Sequence, residues 1–159
     1  MDDWKDKQPY NINKKEEEFN SIYRASCYCG SIEYKVLSDP LDSKICHCHT
    51  CQKLHGAPMQ WAAIFPKDKV LFTKGIDNLL FYNSENNSSE YKLPCKLVCS
   101  DCRSPIADDG KNMFLAFPSL FKFNNNIIPE KFKPTCHIFY KNRSIDVNDN
   151  LPKFDEHKN

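Results

Sequence analysis

No stretch of this chain is apolar for anything near the roughly 18 residues that a membrane-spanning helix needs. The longest apolar candidates sit around Trp61–Phe65. Nor is there a surplus of charge. Lys and Arg number 22 against 21 Asp and Glu, a formal +1 over 159 residues, which argues against a generic binder of polyanions because phosphate contacts need a basic excess. Met1–Lys7 is charged and lacks the apolar stretch of a secretory leader, and Asp2 stands where myristoylation needs glycine. The Asn-x-Ser sequons at Asn86, Asn87 and Asn142 then read as chance products of an Asn-rich chain. No window of 11 or more residues keeps a helical apolar stripe. There is no repeat and no sign of a second domain. Glycine is scarce, with four residues, whereas cysteine is abundant, with nine.

The abundance is the informative part. The cysteines fall at positions 27, 29, 46, 48, 51, 95, 99, 102 and 136. An odd count leaves a thiol unpaired, and spacings of one or two residues suit chelation of a metal better than disulfides. Without a leader the expected compartment is reducing, cytoplasmic or nuclear, where thiols clustered this tightly bind zinc.

At 40% hydrophobic and 27% charged residues, the chain has the balance of one globular domain. Residues 1–23 read as a flexible N-terminal arm, with a brief helical turn at Lys14–Glu18; 24–154 form the domain and 155–159 a tail. From Arg24 the signals are those of strands. Strands are expected over Ser31–Leu37, Met59–Phe65, Val70–Thr73, Leu79–Tyr82, Tyr91–Val98, Met113–Phe117, His137–Tyr140 and Ser144–Val147. Met59–Phe65 and Val70–Thr73 suggest a hairpin, and Met113–Phe117, apolar on both faces, a central strand. Asn83–Glu90 reads as an exposed connection, and one short helical turn is placed after Cys51. The fold class is all-β.

Two constellations carry chemistry. Cys27 and Cys29 with Cys99 and Cys102 form two close pairs, far apart in sequence, that suit one tetrahedral structural zinc pinning early strands to late ones. Cys46-His47-Cys48-His49-Thr50-Cys51 offers three thiols and two imidazoles within six residues. Three thiolates and a vacancy make a zinc that does chemistry; closure by His47, His49 or His55 makes a second structural zinc. Spacing alone supports both equally. Gly56-Ala57-Pro58, next in sequence, permits close approach of backbone to a ligand or is a plain turn.

The motifs Cys-x-Cys-Gly-Ser-Ile-x-Tyr from Cys27, Cys-His-Cys-x-x-Cys-x-Lys-x-x-Gly-x-Pro from Cys46 and Cys-x-x-Cys from Cys99 together resemble the glutathione-dependent formaldehyde-activating enzyme family, which also includes centromere protein V. The similarity runs from about Ser26 to Phe154 and is closest to a fungal or other eukaryotic microbial subgroup. It implies a zinc-pinned β-tent of small antiparallel sheets and two Zn²⁺ per chain. One is structural, on Cys27, Cys29, Cys99 and Cys102; the other, labile or catalytic, sits on Cys46, Cys48 and Cys51 and keeps an open position. The activity implied is that of a carbon–sulfur lyase acting on adducts of glutathione with formaldehyde, so the partners are a small thiol and an aldehyde, not nucleic acid or a membrane. Cys46, Cys48, Cys51 and His55 are the catalytic candidates, His55 with His47 and His49 as possible proton carriers. The rival function is a non-catalytic, zinc-stabilised protein-binding module. A third is a reservoir that releases zinc on oxidation. One position departs from the family pattern: Arg103 follows Cys102 where the family has glycine, at an expected cost of roughly 1 kcal/mol for a left-handed conformation. Lys53, Lys92, Lys96 and Arg103 are candidates, by charge alone, for holding the carboxylates of glutathione.

Overall fold

β-branched and aromatic residues at alternate positions, cut by Gly, Pro and Asx turns, divide the chain into short strands. The computed structural model describes residues 3–7 and 23–158. Within them lie β1 (Tyr23–Ser26), β2 (Glu33–Val36), β3 (Asp42–Cys46), β4 (Gln60–Pro66), β5 (Val70–Lys74), β6 (Leu79–Tyr82), β7 (Cys95–Cys99), β8 (Pro105–Asp109), β9 (Met113–Ala116), β10 (Cys136–Ile138) and one helix, α1 (His49–His55). They make a three-stranded sheet, β1-β2-β5, and a seven-stranded sheet, β10-β3-β4-β9-β8-β7-β6. All pairings are antiparallel except β10 with β3. The fold is the expected all-β single domain, and β9 stands at the centre of the larger sheet.

Aromatic side chains fill the core. Tyr34 of β2 meets Phe72, Phe114 and Phe121 at ring centroid distances of 5.3, 5.3 and 5.7 Å, and Phe132 packs on Phe65, Phe121 and Phe123. Each such ring contributes about 1.5–3 kcal/mol by leaving water. Across β4, β9 and β8, Ala63, Ala116 and Ala107 stand abreast and fully buried. No helix among the described residues is long and apolar enough to cross a membrane.

Several expectations fail for identifiable reasons. β4 and β5 do not form a hairpin. Pro66 ends β4, and the Lys67–Lys69 turn carries the chain into the other sheet, where β5 pairs with β2. The turn is held because the Lys67 ammonium is drawn inside, 3.1 Å from Asp109 and donating to the carbonyls of Gly110 at 2.9 Å and Lys5 at 2.7 Å. Ser144–Val147 is not a strand, because its polar groups are satisfied locally: the Val147 N–H donates to the Tyr140 hydroxyl and Arg143 pairs with Asp146. The helix starts at His49, ahead of Cys51, with Cys48 as its N-cap. Asn83–Glu90 is the expected exposed connection, closed by Asn83, which is buried and whose side-chain oxygen accepts from the N–H groups of Glu85 and Asn86. The helical turn expected at Lys14–Glu18 lies outside the described residues, as does most of the arm; Asp3–Asp6 forms a 3-10 turn.

Candidate metal centres

The turn from β1 into β2 and the turn from β7 into β8 converge, because the sheets meet at that edge. Gly30 (φ 78°) and Arg103 (φ 65°) adopt the left-handed conformation that closes each cysteine loop. The Sγ atoms of Cys27, Cys29, Cys99 and Cys102 all lie within 4.8 Å of one another. Cys27 is 3.6 Å from Cys29 and 3.8 Å from Cys99, and Cys29 is 3.8 Å from Cys99. Tetrahedral zinc with Zn–S bonds near 2.3 Å requires sulfur–sulfur edges of about 3.8 Å, so this donor set fits the ion.

The backbone around these sulfurs is arranged to receive negative charge. The N–H groups of Ile32 and Cys102 point at Cys27 and Cys99, at 3.4 and 3.5 Å. Ser31 Oγ lies 3.0 Å from the sulfur of Cys29 and 3.3 Å from that of Cys99, and Ser104 Oγ lies 3.1 Å from that of Cys102. Burial first, then the neighbouring thiols of Cys29 and Cys99, raise Cys27 against the Ile32 N–H and the Ser31 hydroxyl; for Cys99 the Ser31 hydroxyl and loop N–H groups outweigh burial and lower it. Ser104 and its backbone bring Cys102 down to about 5. Neither serine was marked by the spacing argument, although both lie two residues from a cysteine.

The second cluster sits where β3 runs into α1. Cys46, Cys48 and Cys51 hold their sulfurs within 4.8 Å of one another, and among the described residues no histidine nitrogen or carboxylate joins the group. The Cys51 N–H donates to Cys48 Sγ at 3.3 Å, a cap that fixes the loop to the helix. The thiols share protons: Cys46 is raised to about 11 chiefly by its bond to Cys48, Cys51 is raised by both neighbours, and Cys48 is lowered by both. Three soft donors, one able to ionise early, match zinc at neutral pH. Gly56 is the left-handed cap of α1 (φ 58°), its N–H donating to the Gln52 carbonyl. A Cβ there would meet open space, so the need for glycine is conformational and not a close approach.

The nearby histidines part company. His47 is buried, with Nε2 2.7 Å from His137 Nδ1; His137 Nε2 in turn lies 2.8 Å from Asp149. This chain of polar groups, with Asp149 also bound to Lys153, ties the C-terminal segment under β3. His49 is exposed at the start of α1. His55 is half-buried one helical turn beyond Cys51, so the two share a face. Burial first, and Lys96 second, hold its pKa below the ordinary histidine value.

A cavity of about 260 Å³ opens beside Cys51, with Thr50, Tyr82, Lys96 and Asp108 in its wall. Of the four basic candidates for carboxylate binding, Lys96 is committed to Asp108 at 2.6 Å, and exposed Lys92 lies 3.7 Å from Glu90. Lys53 and Arg103 are exposed. Cys95 and Cys136 are buried, and burial raises Cys95 to about 12.

The model of a family described as glutathione-dependent formaldehyde-activating enzyme matches residues 22–142. No curated protein matches the chain. The solved structure of a Rhodobacter sphaeroides protein is 14% identical and superposes with a TM-score of 0.50, over 82% of this chain and 98% of that one. That likeness is one of fold.

Proposed function

Because the chain belongs to the glutathione-dependent formaldehyde-activating enzyme family, we propose that it is a carbon–sulfur lyase that makes and breaks S-hydroxymethyl adducts of glutathione at Cys46, Cys48 and Cys51. One observation carries this reading: three sulfurs converge without a fourth protein donor among the described residues, beside a cavity walled by one of them. Zn²⁺ held by these three cysteines would supply a Lewis-acidic vacancy that lowers the pKa of an incoming thiol. The chain's own residues position the reactants and move the proton. His55, neutral because of burial and Lys96, accepts the proton of the substrate thiol. The sulfur attacks the aldehyde carbon, a C–S bond forms, the C=O π pair moves to oxygen, and His55 returns its proton there. The reverse order cleaves the adduct. No redox change occurs in either direction, and proximity of the two reactants accounts for most of the gain.

The test is NMR exchange between glutathione and formaldehyde, with and without the zinc-loaded protein. Acceleration that a Cys48→Ser variant abolishes supports the reading. Equal acceleration by that variant, or none by the parent protein, overturns it.

A further inference from the structure

Four polar side chains from four elements meet beneath the end of α1. His55 closes the helix, Gln60 opens β4, and Lys96 and Asp108 are register partners on β7 and β8. Gln60 is 5% exposed, so every polar atom it carries must be matched inside the protein. Its Nε2 donates to Asp108 Oδ2 at 2.9 Å, and its Oε1 receives Lys96 Nζ at 2.6 Å. These two bonds settle which end of the amide is which, because a carboxylate can only accept and an ammonium can only donate.

Gln60 Oε1 also lies 2.6 Å from His55 Nε2. Two bare lone pairs cannot stand that close, so the proton between them must be on Nε2. Lys96 Nζ is 3.2 Å from the same nitrogen and, with Asp108 and Gln60 already engaged, acts there as a nearby positive charge that disfavours a second proton on the ring. Phe117 packs edge-on against the imidazole, centroids 5.0 Å apart at 84°, and fixes its plane. Among the described residues His55 Nδ1 makes no hydrogen bond.

We infer that Gln60, oriented by Asp108 and Lys96, is a positioning residue that locks His55 in the neutral Nε2–H tautomer and presents Nδ1 as its one basic atom. The inference rests on the reading of His55 as the proton carrier, and it names the atom through which the proton passes. The thiol proton goes to Nδ1 and returns from Nδ1 to the carbonyl oxygen, while Gln60 and Lys96 gain and lose nothing. Removing Gln60 leaves Lys96 Nζ to donate to Nε2, which reverses the tautomer and puts a hydrogen on the nitrogen that should be bare.

Long-range ¹H–¹⁵N correlation on the histidine-labelled, zinc-loaded protein reads the tautomer without reference to activity. Nε2–H in the parent protein, Nδ1–H in Gln60→Leu and retention of Nε2–H in the double variant Gln60→Glu/Asp108→Asn, which keeps the acceptor and reverses the amide–carboxylate pair, support the inference. Asp108→Asn, which frees the amide to turn over, should give a mixture of both forms and serves if Gln60→Leu does not fold. In the exchange assay Gln60→Leu should lower kcat by at least about 10-fold with KM unchanged, and the double variant Gln60→Glu/Asp108→Asn should recover part of it. A parent His55 that is Nδ1–H or doubly protonated at neutral pH overturns the inference even in an active enzyme. The stated tautomer in a protein without activity sinks the proposed reaction and leaves the lock standing.

Discussion

Gly75 and Ser31 are pressed together so closely that a methyl group on Gly75 would lie 2.0 Å from the Ser31 carbonyl oxygen and 2.9 Å from its carbon. Gly75 follows β5 in the left-handed region (φ 77°), and the Ser31 hydroxyl lies against the sulfurs of Cys29 and Cys99. The glycine therefore sets the position of a cysteine loop to which it contributes no sulfur. Gly75→Ala should cost about 3 kcal/mol, from overpacking against backbone and from its positive φ, and should speed loss of zinc to a chelator. Gly56→Ala has the same conformational penalty with open space around it and should cost about 1 kcal/mol. Thermal melts with chelation kinetics separate the two; equal costs would refute the packing argument.

Arg103 is an L-residue held at φ 65° on an exposed loop. Replacing it by glycine removes the steric penalty but loosens the unfolded chain, so the net gain is up to about 1 kcal/mol. Arg103→Ala keeps the penalty and should gain nothing. A denaturant midpoint that rises for glycine and not for alanine establishes that backbone strain is the cause; a rise for both would point to the lost charge instead.

Cysteine spacing and alternating apolar residues make both sulfur clusters and most of the strands legible in the sequence, and the strand expected over Leu79–Tyr82 agrees to the residue. The losses follow a physical pattern. β3 and β8 carry Asp42-Ser43-Lys44 and Asp108-Asp109, which look like turn chemistry until Lys96 and Lys67 are seen to reach Asp108 and Asp109 from elsewhere in the fold. Charge pairing across the sheet cannot be inferred from local composition. The same is true of His47, which looks like a ligand beside Cys46 and Cys48 but is claimed by His137, ninety residues away. Gln60 gave no signal at all, because an amide acquires its meaning from the groups that orient it.

Lys67 and Asp109 form an ion pair that is almost wholly buried, their side chains 3% and 1% exposed. The Tyr91 hydroxyl also donates to Asp109. Burial outweighs both partners and raises the Asp109 pKa. Removing one member of such a pair strands the other, at a cost of about 3–5 kcal/mol. Lys67→Met and Asp109→Leu should each fall in that range, and the double variant should cost less than the sum by at least about 1 kcal/mol. Urea unfolding of all four proteins closes the cycle. Strict additivity would mean that the two charges do not depend on each other for their burial.

The charge of Asp149 ties down the C-terminal segment, and acid weakens that tie. Lys153, at 2.7 Å, and then His137, at 2.8 Å, hold its carboxyl well below the ordinary 3.8. A carboxyl depressed in the folded state binds fewer protons there than in the unfolded chain, so its contribution is complete above the unfolded value and is lost as pH falls through the folded one. Solvent reaches a third of the side chain, which screens the Lys153 pair and keeps the effect modest. Asp149→Asn should lower stability at neutral pH, and the gap from the parent protein should narrow as pH falls below about 4. Taking the difference between the two curves cancels protonation of the clustered thiols, which both proteins share. Curves that stay parallel from pH 7 to 2 would show that the Asp149 charge does not fasten His137, and with it His47, beneath the second cysteine cluster.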